Sequence, residues 1–288
     1  MHGGHNNRPV ADQWVILHEI RQFTGGPVDS ARTDARGEYR IVAPPADIGT
    51  LYFLVNTYQG VEYFSDPLPI KVAAVTRIDP LRVYDTTSRG PALRIERRLI
   101  TLFRPAQTGS RTVTEIVEIS NPDTRTRIPR DSGSPVWSIT LPPGVRNWES
   151  ITQSLSAEGL RVAGDTVKLM APLWPGPGLR VSYQYSLGGR AVRIQVDQRT
   201  EQIGLLVEDT MASVYGILLD SIGVQEFEGR RFAAYRQGPI EAGAVIRLTF
   251  SRPPLTPERV APYVVAATAL SLALGLWIAL KRRPPIRR

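Results

Sequence analysis

The chain contains no cysteine, which excludes disulfide scaffolds, CxxC zinc sites, c-type haem attachment and thiol catalysis. Its only histidines are His2, His5 and His18, so the usual vocabulary of general bases and metal ligands is almost missing. His2 and His5 flank Gly3 and Gly4 and offer two ligands on what reads as a flexible terminus, too few for a metal site. His18 closes an apolar stretch and reads as structural. HExxH, Walker, GxSxG and EF-hand spacings are all missing. The best carboxylate pairs are Glu208 with Asp209 and Glu226 with Glu228. With no nucleophile or histidine beside them, they read as a solvated edge and the outer face of a strand. No enzymatic activity, cofactor or metal is expected.

Lysine is scarce too. Three lysines stand against 32 arginines, a bias that fits a GC-rich coding sequence better than phosphate recognition. The formal charge of +8 is also misleading until it is located. Residues 281–288 hold five positive charges and no acid; the other 280 residues carry 30 bases and 27 acids, a net of +3. Nucleic acid is not an expected partner.

The strongest positive feature is the run 260–280, 21 residues without a charge. At 1.5 Å per residue a helix of that length spans roughly 30 Å, the hydrocarbon thickness of a bilayer. Tyr263 and Trp277 lie near its two ends, where amphipathic rings favour the headgroup level. Pro262 falls in the first turn, where a missing N–H costs little. Lys281, Arg282 and Arg283 follow at once, and the positive-inside rule then puts the C-terminus in the cytoplasm. The body is expected on the opposite side, the periplasm of a Gram-negative cell, with the chain in the inner membrane. No charged region followed by an apolar core stands at Met1, so a leader is expected upstream or already removed. A tail-anchored protein with a cytoplasmic body is the competing topology. Residues 251–259, with Pro253, Pro254 and Pro257, read as a stiff extended linker.

Glycine and proline number 24 each, about one residue in six, which favours many tight turns over a helical bundle. Leu179, Val181, Tyr183 and Tyr185 alternate with polar residues, the period of a half-buried strand. Gly188 and Gly189 follow as a turn, and Val192, Ile194 and Val196 alternate again, which predicts a hairpin. Ile246, Leu248 and Phe250 repeat the pattern, and residues 93–103 and 112–119 predict two more strands. Ile203, Val207, Met211, Val214 and Leu218 recur at helical spacing, but Gly204, Gly216 and the β-branched residues favour strand. The expected fold is all-β: tandem β-sandwich domains followed by one C-terminal transmembrane helix. The boundaries are a flexible 1–7, a sandwich over 8–72, a second sandwich region over 73–250 (one domain, or two split near 150–158), the linker 251–259, the helix 260–280 and the basic tail 281–288.

At the N-terminus Pro9-Val10-Ala11 leads into Trp14-Val15-Ile16-Leu17-His18, and Thr33-Asp34-Ala35-Arg36-Gly37-Glu38-Tyr39 follows. Asp34 and Gly37 fit a turn, with Tyr39 and Ile41 pointing inward from a returning strand. Residues 51–58 and 60–64 supply two further strands. This stretch resembles the carboxypeptidase regulatory-like family, small transthyretin-like sandwiches. The family's first strand is missing or replaced by residues 1–7. The resemblance covers about a quarter of the chain and implies a non-catalytic module.

Two features point to partners. Ala267, Ser271, Gly275 and Ala279 place small side chains on one face of the expected helix, where another membrane helix can approach closely. The loop 169–177 presents Leu173 and Trp174 either as a docking point or as the plug of a sandwich end. The expected function is that of a non-catalytic accessory or scaffold subunit, with integral membrane proteins and the lipid bilayer as partners. Its layout is similar to extra subunits of bacterial photosynthetic reaction-centre and respiratory electron-transfer assemblies. The alternative is an envelope carbohydrate- or peptide-binding module, which predicts a groove with exposed aromatics beside acids.

Overall fold

Two-residue periodicity decides the architecture. The computed structural model describes residues 1–4, 6–21, 24–45, 49–68, 75–106, 109–152, 155, 158–217 and 219–250. Every regular element among them is a strand. The N-terminal part supplies β1 (His2–Gly3), β2 (Trp14–Arg21), β3 (Thr24–Arg32), β4 (Leu51–Tyr58), β5 (Val61–Phe64), β6 (Arg82–Val83) and β7 (Thr86–Thr87). Next come β8 (Arg94–Pro105), β9 (Arg111–Asn121), β10 (Thr126–Arg127), β11 (Trp137–Thr140), β12 (Arg146–Ser150), β13 (Leu160–Ala163) and β14 (Thr166–Leu169). The last third holds β15 (Gly176–Leu187), β16 (Ala191–Gln195), β17 (Thr200–Val207), β18 (Ser213–Tyr215), β19 (Asp220–Phe227), β20 (Arg230–Gln237) and β21 (Val245–Thr249).

The largest sheet has the order β12-β15-β9-β8-β17-β20-β19. On its inner face Ile100, Leu102, Val113, Val117, Val181, Ile203 and Leu205 are wholly buried, while the residues between them are half-buried. Two three-stranded sheets, β11-β14-β13 and β16-β21-β18, contribute Ile139, Val167, Leu169, Ile194, Ile246 and Leu248 to the interior. Arg98 in β8 reaches the carbonyl of Gln195 in β16 at 2.9 Å, so β16 lies against the inner face of the large sheet. This is β-sandwich packing, with alternation on each strand setting which face is dry.

A smaller sheet, β3-β2-β4-β5, packs Val15, Leu17, Tyr52, Leu54, Val61 and Tyr63 with Leu81 and Val83 into a core of its own. Asp34 and Gly37 do form a turn: the Gly37 amide donates to the Asp34 carbonyl at 2.9 Å, and Gly37 has φ +72°. Tyr39 and Ile41 pack against the core as expected, but from an irregular segment and not from a paired strand. The partner of β2 is β3, which precedes that turn.

Two expectations meet a different arrangement. Residues 1–4 are not a flexible terminus: Met1 is buried in the small core, its amino group donates to the Gly37 carbonyl, and β1 pairs in parallel with β6. Within the region 73–250, β15 pairs with both β9 and β12, and Met1–Thr249 forms one compact unit. The stretches around Gly188 and Gly189 are strands but not a hairpin: β15 pairs with β9 and β12, and β16 pairs with β21 in another sheet. The turn carries the chain across the core between layers. The strand reading of 203–218 holds in β17 and β18.

Among the described residues no helix is long and apolar enough to cross a membrane. The run 260–280, the tail 281–288 and the linker 251–259 lie outside the described residues.

Candidate functional site

Polar groups on strand faces pointing into an apolar core must find one another, because an unpaired buried charge is costly. β8, β9 and β15 place Arg98, Glu115, Tyr183 and Tyr185 on that inner face, none more than 1% exposed. Glu115 sits directly opposite Tyr183 across β9 and β15. Its Oε2 accepts from Arg98 Nε at 2.8 Å and from the Tyr183 hydroxyl at 3.2 Å, and its Oε1 accepts from the Tyr185 hydroxyl at 2.6 Å. Burial alone would lower the Arg98 pKa, but the adjacent Glu115 carboxylate outweighs it and raises it. Burial first, and then the same carboxylate, push both tyrosines well above their ordinary value. The cluster is sealed from solvent, so its chemistry is internal. It fixes the register of three strands and holds one charge pair dry.

The carboxylates singled out by sequence separate. Glu208 is 5% exposed, not a solvated edge, and accepts both Arg230 Nε at 3.0 Å and Nη2 at 2.8 Å, together with the Arg104 amide at 2.8 Å. Arg230 also lies 4.8 Å over the Phe103 ring. This is a planar, bidentate clamp between β17 and the β19–β20 hairpin. Asp209 caps its own turn, accepting the Met211 amide at 3.3 Å. Glu226 is on exposed β19, whereas Glu228, with φ +51°, sits with Gly229 in the two-residue hairpin turn. Among the described residues no group of three or more His, Cys, Asp or Glu is gathered as metal ligands. His5 lies outside them, and His2 Nδ1 faces Asn7 Oδ1 at 3.3 Å. His18 sits on β2 beside Phe53, with ring centroids 5.4 Å apart.

Trp174 plugs the sandwich. It stacks on Tyr63 at 5.3 Å and on Phe64 at 6.2 Å. Leu173 is buried, its carbonyl accepts Asn121 Nδ2 at 2.9 Å, and its amide and carbonyl both pair with Arg127. The loop therefore ties the small sheet to the large one, the second of the two roles its sequence allowed. Ala267, Ser271, Gly275, Ala279, Tyr263, Trp277, Lys281, Arg282 and Arg283 all lie outside the described residues.

Three surfaces expose what a partner could use. The outer face of the small sheet shows Trp14, Ile20, Leu51 and Phe64, each 40–53% exposed, with a groove of about 340 Å³ between Trp14, Ile16, Pro27 and Asp29. The edge strand β19 is exposed along its whole length, including Ile222, Val224 and Phe227. The third is the outer face of β16-β21-β18, which carries Arg193, Arg247 and Tyr215. Sequence alternation could have found the buried network, since Glu115 falls in step with Val113, Val117 and Ile119. The outer surfaces depend on which strands become neighbours, and no local signal states that.

No protein-family model matches the chain, and no curated protein matches it.

Proposed function

We propose that this chain is a membrane-anchored accessory subunit that acts by binding, bracing integral membrane partners beside the bilayer and carrying out no chemistry of its own. One observation carries the reading: an uncharged run of 21 residues, 260–280, followed at once by a basic tail. The four-residue spacing of Ala267, Ser271, Gly275 and Ala279 supports a partner helix. The expected topology puts the β body on the periplasmic side and the tail in the cytoplasm. The N-terminal module is proposed to be of the carboxypeptidase regulatory-like kind. The complexes whose layout fits best are photosynthetic reaction-centre or respiratory electron-transfer assemblies.

Purification of the tagged full chain in mild detergent tests this, read by mass spectrometry and an absorption spectrum. Stoichiometric membrane subunits are expected, coloured by haem or pigment bound to them, with their recovery falling when Gly275→Leu blocks close helix approach. A colourless chain purified alone contradicts the reading.

A second reading, a carbohydrate- or peptide-binding module, is favoured by the groove where Trp14 stands near Asp29. It requires quenching of Trp14 fluorescence by a glycan or peptide from an array, lost in Trp14→Ala. No hit on either array discards it.

A further inference from the structure

The sheet β16-β21-β18 has one dry face and one wet one. Val192, Ile194, Ile246 and Leu248 are buried, whereas Arg193, Arg247, Ser213 and Tyr215 are exposed. Register aligns Arg193 opposite Arg247, and Arg247 opposite Tyr215. Directly opposed residues in an antiparallel pair share a face, and like charges there are mutually destabilising.

Some surface arginines of this chain are settled against carboxylates. Arg97 and Arg180 share Glu118, and Arg199 bridges Glu201 and Glu241. Among the described residues, no ion pair reaches Arg193 or Arg247. Two guanidinium forks side by side on rigid strands match a phosphate oxygen set. Along the chain on either side of Tyr215, Met211 is 75% exposed, and Ile217 and Leu219 line with Tyr215 a groove of about 380 Å³. The Tyr215 hydroxyl is held by Thr249 Oγ1 at 2.9 Å, which fixes the ring next to the arginines.

The covalent chain says which phosphate is in reach. β21 carries Arg247 and ends at Thr249, and the uncharged run begins at 260. The ten Pro-rich residues between them span at most roughly 35 Å when fully extended.

We infer that the outer face of β16-β21-β18, through Arg193, Arg247 and Tyr215, is a contact surface for anionic phospholipid headgroups. The inference rests on the anchoring reading above for its argument from reach, and on the opposed arginines for its charge. Cations bind an anionic surface with a strength set by salt and lipid charge, and an aromatic ring beside them sits at headgroup depth.

The chain's lack of cysteine permits a direct test. Full-length Ser213→Cys carries a single nitroxide next to the patch and is placed in nanodiscs of phosphatidylcholine, with or without phosphatidylglycerol. In anionic discs the label is expected to lose contact with a water-soluble relaxant. The docked population is expected to fall about fivefold for each arginine removed in Arg193→Gln and Arg247→Gln, and to fall in high salt. Equal accessibility in the two lipids overturns the inference, as does protection that survives the double substitution. Protection by inorganic phosphate alone overturns the lipid assignment.

Co-elution with the discs separates this inference from the anchoring reading. A chain that incorporates but leaves Ser213→Cys accessible refutes the contact surface and keeps the anchor. A chain that fails to incorporate refutes the anchor, and phosphatidylglycerol vesicles then decide the surface. Arginine-dependent protection there sustains it, and none overturns it.

Discussion

At the scale of single residues, the account turns on Glu115, the one carboxylate that accepts from Arg98, Tyr183 and Tyr185. Glu115→Gln leaves the Arg98 charge buried without its counterpart, and a loss of about 3 kcal/mol in urea unfolding is expected. Tyr185→Phe removes one charge-assisted hydrogen bond and costs about 1–2 kcal/mol. Replacing Arg98 and Glu115 together by Met and Leu, with Tyr183 and Tyr185 changed to Phe, recovers most of the Glu115→Gln loss, because neither an unpaired charge nor an unpaired hydroxyl then remains. The tyrosines also set an alkaline limit. Tyr39 is pushed up to about 12 by burial, and Tyr183 and Tyr185 are raised from the usual value of 10.0. Protons held by the folded state but released by the unfolded chain make stability fall as pH rises. The loss therefore begins above pH 10 and grows as pH climbs toward the folded values. Absorbance at the phenolate band is expected to show these rings ionising together with unfolding and not before it.

At the scale of elements, the legible part was periodicity and the illegible part was pairing. β9 and β15 were readable because Val113, Val117, Ile119, Val181, Tyr183 and Tyr185 alternate cleanly and one face is buried. The same alternation in β15 and β16 suggested a hairpin, since local sequence records which face is dry and not which neighbour a strand finds. The parallel pair β8–β17 joins residues about a hundred apart, and no short-range signal carries such a pairing. The Asp34–Gly37 turn was readable from its residues. Its consequence, a Met1 carbonyl packed where a Gly37 Cβ would lie, was not. Gly37→Ala is expected to cost more than about 1 kcal/mol, from positive φ and this contact together. Trp174→Ala removes the plug between the small and large sheets, and a loss of about 2 kcal/mol is expected for this half-buried ring. If thermal melts of these two variants match the parent, the role given to the turn and the plug is wrong.

At the scale of the whole molecule, composition became informative only after the charge was located: a nearly neutral β body and a short basic tail behind an uncharged run. The all-β body agrees with the sequence expectation. The candidate surfaces were the least legible part, because Arg193 and Arg247 are more than fifty residues apart and meet only through the register of β16 and β21.

The central claim is that residues 260–280 hold this body on the outer side of a membrane. The most direct test treats spheroplasts with protease and follows an epitope placed after Arg288. The account predicts a β body digested from outside, with a membrane-embedded fragment that keeps its epitope until the cells are lysed. A body that resists protease in intact spheroplasts, or a chain washed free of the membrane by carbonate, contradicts it.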